Sequence, residues 1–181
     1  MSVPFGVNVL WDPRATLAVA AATGAAFARE IFTGAFAGDF GIWVRTAGDA
    51  FRYRREIGAE NVRLLFNINA EFAAQVAPRP LPDVARSVVF SSMPDALCVS
   101  GPITSQPADA SNLADVARAV KGSGVPVLVN TGCKPTNVRE LLQYADGAIV
   151  GSSLKVDGIT WNRVDAERVK ELMTAVNDSV G

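Results

Sequence analysis

Histidine is absent from these 181 residues, and cysteine occurs only twice. Without imidazole, a Ser–His–Asp triad, a Cys–His pair and a histidine-bound zinc or haem are excluded within this chain. Cys98 and Cys133 stand far apart in apolar surroundings. They are too few for a structural zinc centre, no metal site is expected, and a reduced, cytoplasmic chain without a disulfide is the economical expectation. No apolar run reaches the ~18 residues of a membrane span. The stretch from Thr16 to Phe27 comes nearest, but it is rich in alanine and broken by Gly24. A signal-peptide pattern is also lacking, since Val3 to Leu10 is short, uncharged and strand-like. Nor is there a surplus of charge: 17 basic and 18 acidic residues leave a formal net charge of -1. With no basic block or aromatic-studded basic patch, nucleic acid is not an expected partner. Charge clusters such as Arg52 to Glu56 have helical spacing and read as a solvated face. Any chemistry falls to carboxylates, lysines, amides, hydroxyls or a cofactor whose identity the sequence leaves open.

What is present is a folding composition, 49% hydrophobic and 19% charged, at a length suited to one domain spanning residues 1–181. Short apolar runs alternate with helical patterns. The runs are Phe5 to Leu10, Phe27 to Phe32, Val62 to Asn69, Ala96 to Ser100, Val125 to Asn130 and Ala148 to Val150. Each is bounded by turn residues and rich in Val, Ile, Leu or Phe, as buried parallel strands are. Between them, Leu113, Val116, Ala117 and Val120 share a helix face. So do Val138, Leu141, Leu142 and Ala145, and then Val169, Leu172, Met173 and Val176. Asp12 before Pro13, Pro135 after Lys134, and Asp165 mark helix starts, while Gly24, Gly58 and Gly122 mark stops.

Repeated βα units imply a parallel sheet with right-handed crossovers, either open and doubly wound or curved into a barrel wall. Parity chooses between them. In Val62 to Asn69, Leu64, Phe66 and Ile68 share one face and Leu65, Asn67 and Asn69 the other. Phe5, Val7 and Val9 likewise oppose Gly6 and Asn8. One face is aliphatic and fit to meet helices. The other turns polar toward the strands' C-terminal ends, as a barrel with an active mouth requires. The expected fold is therefore α/β, a partial TIM barrel of about six βα units. Eight units make a full barrel of about 250 residues. The remainder would come from a partner or second copy, the sheet would stay open, or the chain is a shortened form.

Two loops following the last two strands form the strongest local motif: Asn130-Thr131-Gly132-Cys133-Lys134-Pro135 and Gly151-Ser152-Ser153-Leu154-Lys155. Glycines there let backbone N–H groups approach an anion, and this position in a barrel commonly holds phosphate. The alternative is that they only make tight turns. Asn8, Asn67, Asn69 and Asn130 form a set of amides directed at the mouth, suited to positioning a substrate or to a self-satisfied polar layer. On the second strand, Arg29-Glu30 places charge where burial is costly. Parity with Ala28 and Phe32 is read as turning Glu30 inward, as a general base, a metal ligand or half of an ion pair. Glu71 carries the same ambiguity. Cys133 lacks a histidine partner and is a weak nucleophile candidate. Trp11, Trp43 and Trp161 lie near strand ends, at the mouth or on the core rim.

Several segments resemble the BtpA/SgcQ family. They are Pro4-Phe5-Gly6-Val7-Asn8-Val9-Leu10, Arg29-Glu30-Ile31-Phe32-Thr33-Gly34-Ala35, Asp95-Ala96-Leu97-Cys98-Val99-Ser100-Gly101 and Val150-Gly151-Ser152-Ser153-Leu154-Lys155-Val156-Asp157-Gly158. The closing Trp161-Asn162-Arg163-Val164-Asp165 adds to them. The likeness runs over essentially the whole chain. It implies a barrel of the ribulose-phosphate-binding type and names linked to photosystem I biogenesis or sugar-related gene clusters, with no defined reaction. By that resemblance, family members begin about two βα units earlier. Many also carry an Asp–His segment where this chain has Phe66-Asn67-Ile68-Asn69-Ala70-Glu71, which weighs against metal- or histidine-dependent activity here.

Two functions are expected from these readings. One is a barrel, enzymatic or enzyme-like, binding a small phosphorylated metabolite at Asn8, Asn130, Gly132, Gly151, Ser152 and Ser153, with Glu30, Asn67 and Asn69 at the reacting end. The other is an assembly factor working through protein–protein contacts. In both, a homo-oligomer or a partner completing the barrel is expected, with no membrane insertion.

Overall fold

Residues 3–180 are described by a computed structural model. The apolar runs become parallel strands that lie side by side in the order of the chain. These are β1 (Gly6–Val7), β2 (Phe27–Glu30), β5 (Arg63–Asn67), β7 (Ala96–Val99), β8 (Val127–Val129) and β9 (Gly147–Ala148). Helices α1 (Pro13–Thr23), α2 (Ala47–Glu56), α3 (Leu81–Ser92), α4 (Ala110–Ala119), α5 (Val138–Leu141) and α6 (Ala166–Val180) alternate with them. The expected α/β parallel repeat is the fold.

Registers run Ala28↔Leu64 and Glu30↔Phe66 from β2 to β5, then Phe66↔Leu97 and Leu97↔Val127 across the sheet. Paired residues in neighbouring strands face the same way. Ala28, Leu64, Phe66, Leu97 and Val127 thus form one aliphatic face, all buried in the main core with Leu17, Val88, Leu113 and Val116 from the helices. Burying a side chain of this size stabilises the fold by about 1.5–3 kcal/mol, so this face holds the layers together. The opposite face carries Arg29, Leu65, Asn67 and Cys98.

The sheet curls into a half-barrel. Arg29 Nη1 donates to Asn130 Oδ1 at 2.8 Å, although β5 and β7 lie between β2 and β8. In a flat sheet those two strands would be about 14 Å apart, with side chains standing parallel. Only curvature brings the two heads together.

Helix boundaries follow local chemistry. Asp12 caps α1 by accepting from the Ala15 N–H, Pro13 occupies the first turn, and Gly24 closes the helix in the left-handed region. Asp165 accepts from the Glu167 N–H at the start of α6. Other boundaries shift. The first run yields only Gly6–Val7, because the Asp12 N–H bonds the Val9 carbonyl in a tight turn through Trp11 at φ +62°. The helix expected from Pro135 begins at Val138, since Asn137 turns its side chain back onto the Lys134 N–H and the Gly132 carbonyl. On α6, Leu172 is buried but Met173 is exposed.

The stretch after Phe32, read as a long loop, is instead an antiparallel hairpin of β3 (Gly34–Gly38) and β4 (Gly41–Arg45). β6 (Ala73–Gln75) pairs with β3, making a second, three-stranded sheet in the order β4-β3-β6. Its inner residues Phe36 and Trp43 pack with Trp11, Ile31 and Ala70 in a separate small core. The Trp43 indole N–H donates to the Trp11 carbonyl at 2.9 Å. Because β3, β4 and β6 all arise from segments following β2 and β5, this sheet stands at the C-terminal end of the half-barrel.

Two glycines at positive φ separate backbone freedom from close approach. At Gly24 (φ +70°) a Cβ would meet open space, whereas at Gly132 (φ +65°) it would sit 2.2 Å from the Pro107 nitrogen. Gly24→Ala should cost about 1–2 kcal/mol. Gly132→Ala should cost about 2–5 kcal/mol, because overpacking adds to backbone strain. Urea unfolding of both variants measures the difference.

Candidate functional site

The turns that follow β8 and β9 are sewn to each other and to the loop after β7. Ser153 Oγ donates to the Cys133 carbonyl at 2.8 Å, joining the two turns. The Gly101 N–H donates to Thr131 Oγ1 at 2.5 Å, and Ser105 Oγ donates to Ser152 Oγ at 2.7 Å. Thr160 Oγ1 lies 2.7 Å from the same Ser152 oxygen. Gly132 permits this assembly by letting the Gln106–Pro107 backbone press against it. Gly151 differs, because a Cβ there would meet nothing within 4 Å. The first turn is therefore built around close packing, and the second opens onto space.

That space is a cleft of about 500 Å³ walled by both turns. Asn130, Gly132, Gly151, Ser152 and Ser153 line it, as the sequence predicts. It also receives Arg29, Lys134, Lys155 and Arg168, against only two carboxylates, Glu71 and Glu171. None of these four cations forms an ion pair among the described residues. Arg168 donates to the Ser153 carbonyl at 3.4 Å, which draws it onto the second turn. A concave wall with unpaired positive charge concentrates anions. Both lysines lie within the loop motifs, yet the motifs alone assign neither to a ligand. Their repetition after each glycine was the available signal.

Four residues assigned to the site lie outside this lining. Glu30 does not face the hollow: register with Phe66 turns it toward the helix side, and Arg29 takes the inward place beside Leu65. Glu30 is 2% exposed, accepting from the Trp11 and Ile31 N–H groups at 3.1 Å each and from the Asn8 side-chain amide. The same Asn8 amide donates to the Arg29 carbonyl at 2.7 Å and accepts from Arg29 Nη2 at 3.3 Å. Asn8 is thus a bridge between the two charged neighbours. Asn69 is spent on structure, exchanging two hydrogen bonds with the Ser100 backbone at 2.6 and 2.9 Å. Asn67 is 8% exposed, and its buried Oδ1 has no hydrogen-bond partner.

Of the two carboxylates the sequence offers, Glu30 and Glu71, Glu71 does reach the cleft, accepting from the Thr104 hydroxyl at 2.9 Å. Cys133 lines the cleft wall, but burial pushes its thiol up, away from the nucleophilic thiolate. Trp11 and Trp43 belong to the small core, while Trp161 is 93% exposed. Among the described residues, no three His, Cys, Asp or Glu side chains gather as a metal site would need. None of the described helices is long and apolar enough to cross a membrane.

With this geometry in place, comparison with known proteins is informative. The model of the BtpA family matches residues 1–178. The chain belongs to the BtpA family. It is 46% identical over 175 residues to the sgc region protein SgcQ of Escherichia coli (strain K12), covering 97% of this chain and 65% of that protein. It is 31% identical over 179 residues to the photosystem I biogenesis protein BtpA of Synechocystis sp., covering 98% of this chain and 61% of the relative. This BtpA-family chain therefore spans under two thirds of the length of both relatives. Among solved structures it resembles one titled native KDPGal, with a TM-score of 0.59 at 15% identity, covering 98% of this chain and 69% of the other. A thiamine phosphate pyrophosphorylase from Pyrococcus furiosus follows, with a TM-score of 0.58 at 17% identity and coverage of 91% and 66%. At such identities the likeness establishes a TIM-barrel-like fold.

The electrostatics of Glu30 yield a stability signature. Burial is the main cause that lifts its carboxyl from 4.5 to about 7, against the lowering effects of the Ile31 N–H, Arg29, the Trp11 N–H and Asn8. The folded chain thus resists an ionisation that the unfolded chain undergoes freely. Its stabilising share is full below pH 4.5 and is lost as the pH rises through 7. The loss should amount to about 3 kcal/mol, and Glu30→Gln should flatten this part of the profile. Urea unfolding across pH 4 to 8 compares the two proteins.

Proposed function

We propose that this protein binds a small phosphorylated metabolite in the cleft after β8 and β9. The carrying observation is that Gly151, open to space, sits in a pocket whose four cations face only two carboxylates. The phosphate rests against the Gly151–Ser153 turn, where backbone amides and the Ser152 hydroxyl are donors and Lys134, Lys155 and Arg168 supply charge, while the Ser153 hydroxyl stays on the Cys133 carbonyl and holds the turn in place. Such convergence of short donors and cations is the chemistry of phosphate recognition. A structural neighbour named for thiamine phosphate supports the idea that this fold accommodates phosphorylated molecules. Glu71 and Glu171 are the carboxylates within the cleft suited to moving a proton, so an enzymatic reaction, of a kind these residues do not define, would run through one of them. The two buried free cysteines are consistent with a cytoplasmic setting.

Gly151→Asp tests the reading cleanly. The backbone there is at negative φ, -127°, and the space around it is empty. The variant should melt like the parent yet place an anion where phosphate would sit. Like-charge juxtaposition costs several kcal/mol, so affinity for inorganic phosphate or a sugar phosphate should fall by about 100-fold or more. In the parent, a ligand at ~100 times its dissociation constant should stabilise by about 2.7 kcal/mol. Thermal shift measures both, and no response across sugar phosphates, nucleotides and plain phosphate would sink the proposal.

A second reading is favoured by a different surface. Ile42 and Val44, 80% and 58% exposed, lie on the outer face of the small sheet, with the exposed Val76 at its end. An apolar sheet face of this kind suits contact with a second copy or with an assembly partner, in keeping with the name of the Synechocystis relative. Under that reading, Ile42→Lys with Val44→Lys should shift the mass in solution toward the monomer and leave phosphate binding intact. Gly151→Asp should leave the mass unchanged. Light scattering on the three proteins separates the two surfaces.

A further inference from the structure

Arg29 is used by neither the phosphate turn nor the main core. Its guanidinium enters the same cleft from β2, on the side away from Gly151. Two neutral oxygens fix its direction, Asn130 Oδ1 at 2.8 Å and Asn8 Oδ1 at 3.3 Å. Asn130 is itself held by donating to the buried Ser100 hydroxyl at 2.7 Å. The carboxylate of the adjacent Glu30 feels the Arg29 charge but forms no ion pair with it, being turned to the other face and engaged by two backbone N–H groups and Asn8. Glu71, within the cleft, is taken by Thr104.

Amide oxygens orient a guanidinium but do not neutralise it. Arg29 has five N–H donors and spends two on these contacts, while ion-pairing with no residue among those described. A half-buried, aimed and unpaired guanidinium is a receptor for a planar anion, because its fork matches a carboxylate in two parallel hydrogen bonds. Its position relative to the turn is also set. Asn130, bonded to Arg29, is three residues before Cys133, a span of at most about 11 Å of chain, and the Cys133 carbonyl accepts from Ser153 Oγ of the phosphate turn. A small molecule could therefore touch both ends of the cleft.

We propose that the ligand is doubly anionic, a phosphorylated carboxylic acid whose phosphate takes the Gly151–Ser153 turn and whose carboxylate takes Arg29. This deepens the phosphate reading and rests on it. Asn8 and Asn130 are then positioning residues, holding the guanidinium without cancelling its charge. That gives the mouth amides a purpose that direct contact with substrate does not require.

Calorimetry with matched probes decides the matter. The acids are 2-phosphoglycolate, 3-phosphoglycerate and 6-phosphogluconate, and the neutral-ended counterparts are glycerol 3-phosphate and glucitol 6-phosphate. The wild-type chain should bind at least one acid tenfold or more tighter than either counterpart. Arg29→Met, which keeps much of the stem volume, should erase that preference, weakening the acids at least tenfold more than it weakens glycerol 3-phosphate. Equal affinity for acids and alcohols in the wild type would overturn the carboxylate site yet leave the phosphate site standing. A preference that survives in folded Arg29→Met would also overturn the role given to Arg29. Failure of every phosphate ester to bind would bring down both ideas together. The wild-type comparison needs no variant, so a poorly folding Arg29→Met would not rescue the proposal from an equal-affinity result.

Discussion

Curvature of the parallel sheet is the constraint on which the site depends, and the Arg29–Asn130 hydrogen bond is where it becomes visible. Side chains on the concave face of a curled sheet converge, while those on the convex face diverge and leave room for helices. The sequence exploits the difference. Leu64, Phe66 and Leu97 fill the diverging side with aliphatic volume, and Arg29, Asn67 and Asn130 put polarity on the converging side. A charge on a flat, two-sided sheet would be buried beneath helices at a cost of several kcal/mol. Here the same charge is held in a hollow that water and anions reach.

The small antiparallel sheet solves a different problem. Glu30 terminates β2 on the helix side, where a carboxylate is poorly solvated. The tight turn through Trp11 supplies one N–H and Ile31 supplies another. That turn is in turn held by Trp43 from the hairpin, whose indole bonds the Trp11 carbonyl. The aromatic core of Trp11, Phe36 and Trp43 is therefore linked to the acid's hydrogen bonds. Loss of the acid's partners would leave a buried carboxylate uncompensated, which costs more than the hydrogen bonds themselves contribute. Asn8 completes the arrangement by touching both Glu30 and Arg29, so the sheet's first strand connects the buried acid to the open cleft.

Much of this was legible in the residues, and the failures have physical causes. Strand positions follow from apolar runs between turn residues, and the two glycine turns follow from their place after the last two runs. The hairpin was missed because Gly34, Ala35, Ala37 and Gly38 dilute the alternation that would mark a strand, leaving only Phe36 and Trp43 as inward residues. Parity within β2 alone turns Glu30 inward, although the pattern of β5 contains the answer. If Leu64 and Phe66 face the helices, then Ala28 and Glu30, their register partners, must do the same. Register between non-neighbouring stretches of chain is a tertiary property, and one residue of error reverses every facing. The roles of Asn69 and Asn8 were out of reach for the same reason, since both are defined by partners 31 and 21 residues away.

The two glycine turns show how one residue type serves opposite ends within a single site. At Gly132 the missing side chain lets another backbone come close, bringing the loop after β7 against the end of β8. That packing sets Ser105 against Ser152 and so shapes the cleft's rim. At Gly151 the missing side chain leaves a void that nothing in the chain fills. A void walled by cations that form no ion pair among the described residues costs stability, since the cations repel one another. Such a cost is recovered when an anion enters. The charge imbalance of this cleft is thus the physical basis for the proposal that it takes an anion.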